Sequence, residues 1–143
     1  METACASARL SAAEAARAVK RRLPHRGRQW FDWSASMLAE AADRGALFVN
    51  PIIYAEVAAG FERVEDLDAA LPVDYFRRLP LPWEGAFLAG QCFVKYRRRG
   101  GARRSPMPDF YIGAHAAIAG LTLLTRDARR YQAYFPTLRL VAP

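Results

Sequence analysis

Cysteine is nearly absent. Cys5 and Cys92 are the only two in 143 residues, and their separation has no metal-ligand spacing, so a zinc knuckle is excluded and a reducing, cytoplasmic compartment is the expectation. Long hydrophobic runs are also missing, which argues against a membrane span. The first residues contain no continuous apolar core of the kind a secretory leader needs. There is no internal repeat and no low-complexity linker. Lysine is scarce too: 19 of the 21 basic residues are arginine. Arginine suits bidentate contact with phosphate, although an Arg- and Ala-rich chain also follows from biased coding composition.

What remains is an ordinary globular composition, 52% hydrophobic and 24% charged, of a size for one domain with a proper core. The net charge of +7 points toward nucleic acid. Its distribution qualifies that reading. Residues 1–30 hold seven basic and two acidic side chains, whereas residues 31–143 hold fourteen and twelve. The excess therefore sits mainly at the N-terminus.

Two regions follow: a basic N-terminal segment, 1–28, and a domain, 29–143. In the first, Ser11 and Glu14 form a capping-box pattern, a basic helix is expected over 12–23, and Pro24 stops it. His25 lies in the loop after it. In the second, strands and helices alternate. A helix is expected from about Ala35 to Asp43, a strand over 46–50, an apolar helix over 52–61 and a short helix over 64–71. An edge strand is expected over 78–81, where Pro80 and Pro82 forbid a central place. The longest helix, 83–96, shows Trp83, Ala86, Phe87, Gly90 and Phe93 as an apolar face at helical spacing. A mobile basic loop, 97–104, then leads into Ser105–Asp127. There Asp109 fits a helix N-cap, Gly120 a left-handed helix end, and Leu121–Leu124 a buried strand. A helix over 128–134 and a strand over 138–142 complete an α/β chain with a mostly parallel sheet.

The acids are the informative part. A helix of about eleven residues carries the chain roughly 16 Å from Asp109. A strand of about five residues returns it roughly 17 Å, which brings Asp127 back to the edge where Asp109 began. Glu56 reaches the same carboxyl edge of the sheet from the helix after the first strand. Its neighbours are apolar, so the acid has to be paired, metal-bound or costly, unless it is a surface side chain. Asp109 and Asp127 each also suit a plain helix cap. His115, among alanines, reads as a packing or hydrogen-bonded histidine. Together the three carboxylates suit an oxygen-preferring ion, Mg²⁺ or Mn²⁺.

Three blocks, Asn50-Pro51-Ile52-Ile53-Tyr54-Ala55-Glu56-Val57, Pro108-Asp109-Phe110-Tyr111-Ile112-Gly113-Ala114-His115-Ala116 and Leu123-Leu124-Thr125-Arg126-Asp127, resemble the PIN domain in its bacterial VapC toxin form. The resemblance covers about residues 29–143. It implies a three-layer α/β/α sandwich around a parallel sheet. It also implies a Mg²⁺- or Mn²⁺-dependent endoribonuclease, the toxin of a type II toxin–antitoxin pair. Glu56, Asp109 and Asp127 correspond to three of the family's four acids, as metal ligands and catalytic groups. Arg103, Arg104 and Arg126 are the arginines expected at RNA. The implied partners are a cognate antitoxin and RNA, and a homodimer is compatible with the resemblance. No membrane partner is implied.

One departure stands out. The family opens on a central hydrophobic strand that ends in an Asp, and no Asp precedes Asp32 here. The first strand and fourth acid are thus expected to be missing, which removes a ligand and leaves neighbouring ladders unpaired. A frameshift or wrong start is the expected explanation. The alternatives are a catalytically inactive remnant that only binds antitoxin or nucleic acid, and a general nucleic-acid binder using residues 9–28 and 97–104. If a frame has been lost, the encoding DNA before Gln29, read in its other two frames, is expected to show a hydrophobic run ending in an Asp-Thr-like motif.

Overall fold

The computed structural model describes residues 29–143. The expected helix over 12–23, His25 and any first strand lie outside the described residues. The elements are α1 (Gln29–Arg44), β1 (Leu47–Val49), α2 (Pro51–Ala58), α3 (Val64–Ala70), β2 (Phe76–Arg78), α4 (Trp83–Arg98), α5 (Pro108–Ala119), β3 (Leu123–Leu124), α6 (Ala128–Tyr134) and β4 (Leu140–Val141). The alternation of helix and strand is the α/β order read from the sequence. Among the described residues the strands form two separate two-stranded sheets, β1 with β2 and β3 with β4. No helix among the described residues is long and apolar enough to cross a membrane.

The described residues divide into two compact units, residues 29–47 with 57–77, and residues 48–56 with 78–143. In the first, α1 starts at Gln29, earlier than the expected Ala35. Asp32 falls in its first turn and Arg44 in its last, each the favourable sign for the helix dipole. Arg44 ion-pairs with Glu40 one turn back. In α3, Leu67 and Ala70 turn inward, and Leu71 and Phe76 are buried with them. Glu65, Asp66 and Asp68 face solvent. The second strand lies at Phe76–Arg78, slightly before its expected place. The prolines explain the shift: Pro80 and Pro82 have no N–H to give, so the ladder is built from the residues ahead of them. Within the first unit, Leu47 N–H donates to the Tyr75 carbonyl at 3.1 Å. Within the second, Leu79 N–H donates to the Val49 carbonyl at 2.9 Å.

The second unit is built on α4 and α5. The expected apolar face of α4 is only partly the one it covers: Phe93 packs against the core, but the larger residues at its start do not. Trp83 is 87% and Phe87 70% exposed, whereas Gly85, Ala89 and Cys92 are buried. Small residues at spacings of four and three make a shallow seam, and α5 lies in it. A Cβ on Gly85 would already stand 3.6 Å from the His115 backbone, so no bulky side chain fits there. Burial lifts the Cys92 thiol above its ordinary range.

Pro108 occupies the first turn of α5, and Gly120 closes it at φ 66° in the left-handed conformation the sequence suggests. Phe110, Ile112 and Ala114 of α5 form one core with Ala89, Cys92, Tyr131 and Phe135. The Phe110 ring meets Tyr96 and Tyr134 edge-on, at 5.9 and 4.9 Å between centroids. The chain then returns through β3, which pairs in parallel with β4, Leu123 opposite Leu140. Both strands are shorter than expected. A Cβ on Gly113 would fall 2.4 Å from the buried Phe135 ring. Gly113→Ala is therefore expected to destabilise by about 1–3 kcal/mol through overpacking. Phe110→Ala is expected to cost about 3–5 kcal/mol through a cavity. Urea unfolding of both variants measures this.

Candidate active site

The site belongs to the second unit, and its first acid is placed by a helix start. Pro51 takes the first turn of α2, where a missing N–H costs nothing. Asn50 caps that turn, its Oδ1 accepting from Ile53 N–H at 2.9 Å. With its oxygen committed, the Asn50 amide turns Nδ2 toward His115, 3.1 Å from Nδ1. Nδ2 can only donate, so His115 Nδ1 accepts and the ring is neutral with its proton on Nε2. Burial also lowers the His115 pKa, in agreement. His115 is thus the hydrogen-bonded histidine expected, and it ties the start of α2 to the middle of α5.

Glu56 follows farther along α2. It is an exposed residue, and α2 buries none of its side chains fully. The costly buried acid suggested by its apolar neighbours is not found, because those neighbours are themselves only half covered. Its carboxyl still titrates above the ordinary range, first through partial loss of hydration and then through the charge of Asp109. The two acids therefore feel each other.

Asp109 is not the N-cap expected. Met107 holds that position without a side-chain cap bond, and Pro108 takes the first turn. Asp109 is one step inside the helix, and its carboxylate is free for tertiary contacts. Oδ1 accepts from the Tyr131 hydroxyl at 3.2 Å, and Oδ2 is ion-paired with Arg130 Nη1. Tyr131 is buried, and loss of hydration together with the Asp109 charge drives its pKa far up, so it stays a protonated donor.

Asp127 does cap a helix: its Oδ1 accepts from Arg130 N–H at 3.3 Å at the start of α6. The Thr125 hydroxyl accepts from Asp127 N–H at 3.1 Å and sets the turn before it. Asp127 Oδ2 lies 3.8 Å from Arg130 Nε. One guanidinium thus touches both aspartates, and the hydrogen bond to Asp109 is the main cause of its raised pKa.

Glu56, Asp109, Arg103 and Arg130 line a cleft of about 240 Å³ with Ser105 and Met107. Arg103 is positioned by the preceding turn. Its N–H donates to the Tyr96 hydroxyl at 3.3 Å, and its carbonyl accepts from Arg97 Nη1 at 3.1 Å. The basic loop expected to be mobile is tied in this way to the end of α4. Arg104 and Arg126 are exposed and are not among the cleft's lining residues.

The donor chemistry, carboxylate oxygens under mutual repulsion, fits a hard divalent ion. The geometry as it stands does not yet make a cage. Among the described residues no three His, Cys, Asp or Glu side chains stand close enough to hold a metal. Glu56 and Asp109 meet in the cleft, whereas Asp127 reaches Asp109 only through Arg130. Sequence reading missed Arg130 and Tyr131. Their signal was present: they lie three and four residues after the acid that starts α6, on the face that turns back toward α5.

A family model, PIN domain, matches residues 23–136. The chain belongs to the PIN domain family, whose members are generally nucleases. Among solved structures, it is similar to a chain of VapBC2 from Rickettsia felis bound to a DNA fragment from their promoter. The TM-score is 0.59 at 19% identity, over 78% of this chain and 86% of that one. At that identity the likeness shows the fold. Comparison with curated proteins gives no match.

The raised carboxyl of Glu56 gives a signed expectation. A carboxyl whose folded pKa exceeds its ordinary value of 4.5 favours the fold when protonated, and that contribution is lost as pH rises through the folded value. Glu56→Gln keeps the neutral form at every pH. It is expected to unfold at a higher temperature than the parent at pH 7 and at an equal one well below pH 4.5, which melting curves at both pH values test.

Proposed function

We propose that the chain is a metal-dependent endoribonuclease of the VapC type, the toxin of a toxin–antitoxin pair, acting in the cytoplasm. The observation that carries this is one cleft lined by two mutually repelling carboxylates, Glu56 and Asp109, together with an arginine held by its own backbone, Arg103. Acids and arginine in one cleft suit a phosphodiester, with the ion on the acids and the guanidinium on the phosphate. A bound Mg²⁺ or Mn²⁺ supplies an activated water and neutralises charge on the phosphate.

Glu56 and Asp109, with Asp127, are the residues that would hold the ion. Tyr131 fixes the rotamer of Asp109, and Arg103 orients the phosphate. Arg104 and Arg126, exposed beyond the cleft, would meet the flanking RNA backbone without reading its sequence. The similar solved structure is of VapBC2, and by likeness of fold a cognate antitoxin is the partner that would cover this site.

A second reading has an observation of its own. Asp109 and Asp127 already share the one charge of Arg130, which suits an inactive remnant that keeps only a binding surface. Cleavage separates the two. Purified folded protein with Mg²⁺ or Mn²⁺ is expected to cut RNA, and Asp109→Asn or Asp127→Asn to lower the rate ~100-fold or more. No cleavage by the metal-loaded parent would favour the remnant. Arg104→Ala and Arg126→Ala are each expected to weaken RNA binding evenly across sequences and to lower the salt slope by about one.

A further inference from the structure

We infer that Arg130 is the resident cation of the acidic cleft, and that a divalent ion gains Asp109 only by displacing it. This rests on the proposal that the acids take such an ion, and it concerns a residue that proposal leaves without a role.

Both oxygens of Asp109 are engaged, Oδ1 by the Tyr131 hydroxyl and Oδ2 by Arg130. The same guanidinium lies 3.8 Å from Asp127 Oδ2, while the Arg130 backbone N–H holds Asp127 Oδ1. A single positive charge therefore stands between two carboxylates, with a third, Glu56, near enough to feel Asp109. That is the electrostatic task of a divalent ion, done with half its charge.

The substitute is built to yield. The Arg130 side chain is 45% exposed, and pairs open to solvent on this scale gain little net stability. Its partners come from two helices, whereas its own backbone is anchored by the cap of α6. The head can swing away without unwinding the helix. It already lines the cleft that holds Arg103. Once released from Asp109, it would stand where an anion entering the cleft meets both arginines. Loading an ion onto the acids would thus turn Arg130 from a counter-ion of the protein into a counter-ion of the substrate.

The experiment is Mn²⁺ titration of the full chain without RNA, followed by electron paramagnetic resonance of free Mn²⁺, with circular dichroism to verify folding. Arg130→Met, which keeps the length and loses the charge, is expected to bind Mn²⁺ ~10-fold or more tightly than the parent, since the competing cation is gone. Arg130→Lys, which keeps the charge and loses the fork, is expected to fall between them. The gain is expected to vanish in Asp109→Asn/Arg130→Met. Equal Mn²⁺ affinity in the parent and in folded Arg130→Met overturns the inference and leaves the metal-dependent reading standing. A gain that survives Asp109→Asn also overturns it. Should Arg130→Met not fold, Arg130→Lys decides, and affinity equal to the parent's is the overturning result. Absence of Mn²⁺ binding in every variant overturns both the inference and the metal-dependent reading.

Discussion

Gly85, Ala89 and Cys92 let α4 lie against α5 with almost no side chain between them, and the rest of the second unit depends on that approach. Ala89 and Ala114 are wholly buried in the seam. Dispersion acts over short distances, so a seam of small residues holds two helices more tightly than its apolar area suggests. The fixed α5 then does two things at two places along its length. Its first turn offers Asp109 to the cleft, and its middle receives the Phe135 ring against Gly113. The ring secures the end of α6, the helix that brings Arg130 and Tyr131 to Asp109.

This order of dependence explains what the sequence shows and what it hides. The elements from α2 onward are legible because proline and glycine punctuate them: Pro51 opens α2, Pro108 opens α5 and Gly120 ends it. The buried face of α4 is not legible in the same way. Counting large apolar residues favours Trp83 and Phe87, but the neighbour selects smallness, and size carries the opposite signal there. The start of α1 is obscured because Trp33 and Ser34 have weak helix preference of their own.

The acids divide similarly. The convergence of Asp109 and Asp127 follows from the lengths of a helix and a strand, and the structure brings both to one guanidinium. Which cation stands there could not be read, because it depends on how a helical turn faces another helix. Asp109 shows the limit most clearly. A residue after two prolines looks like a cap, yet one proline is itself good first-turn material and displaces the acid inward by one position. That single step frees the carboxylate from capping and leaves it for tertiary work.

Asn50 and His115 carry a consequence for substitution. One amide both starts α2 and meets a ring on α5, an oxygen for the first task and a nitrogen for the second. A serine at position 50 could begin the helix but would leave the imidazole without its donor. An aspartate could begin it only if the ring moved its proton to the other nitrogen. A change at position 50 therefore reaches position 115, either by stranding the ring nitrogen or by moving its proton.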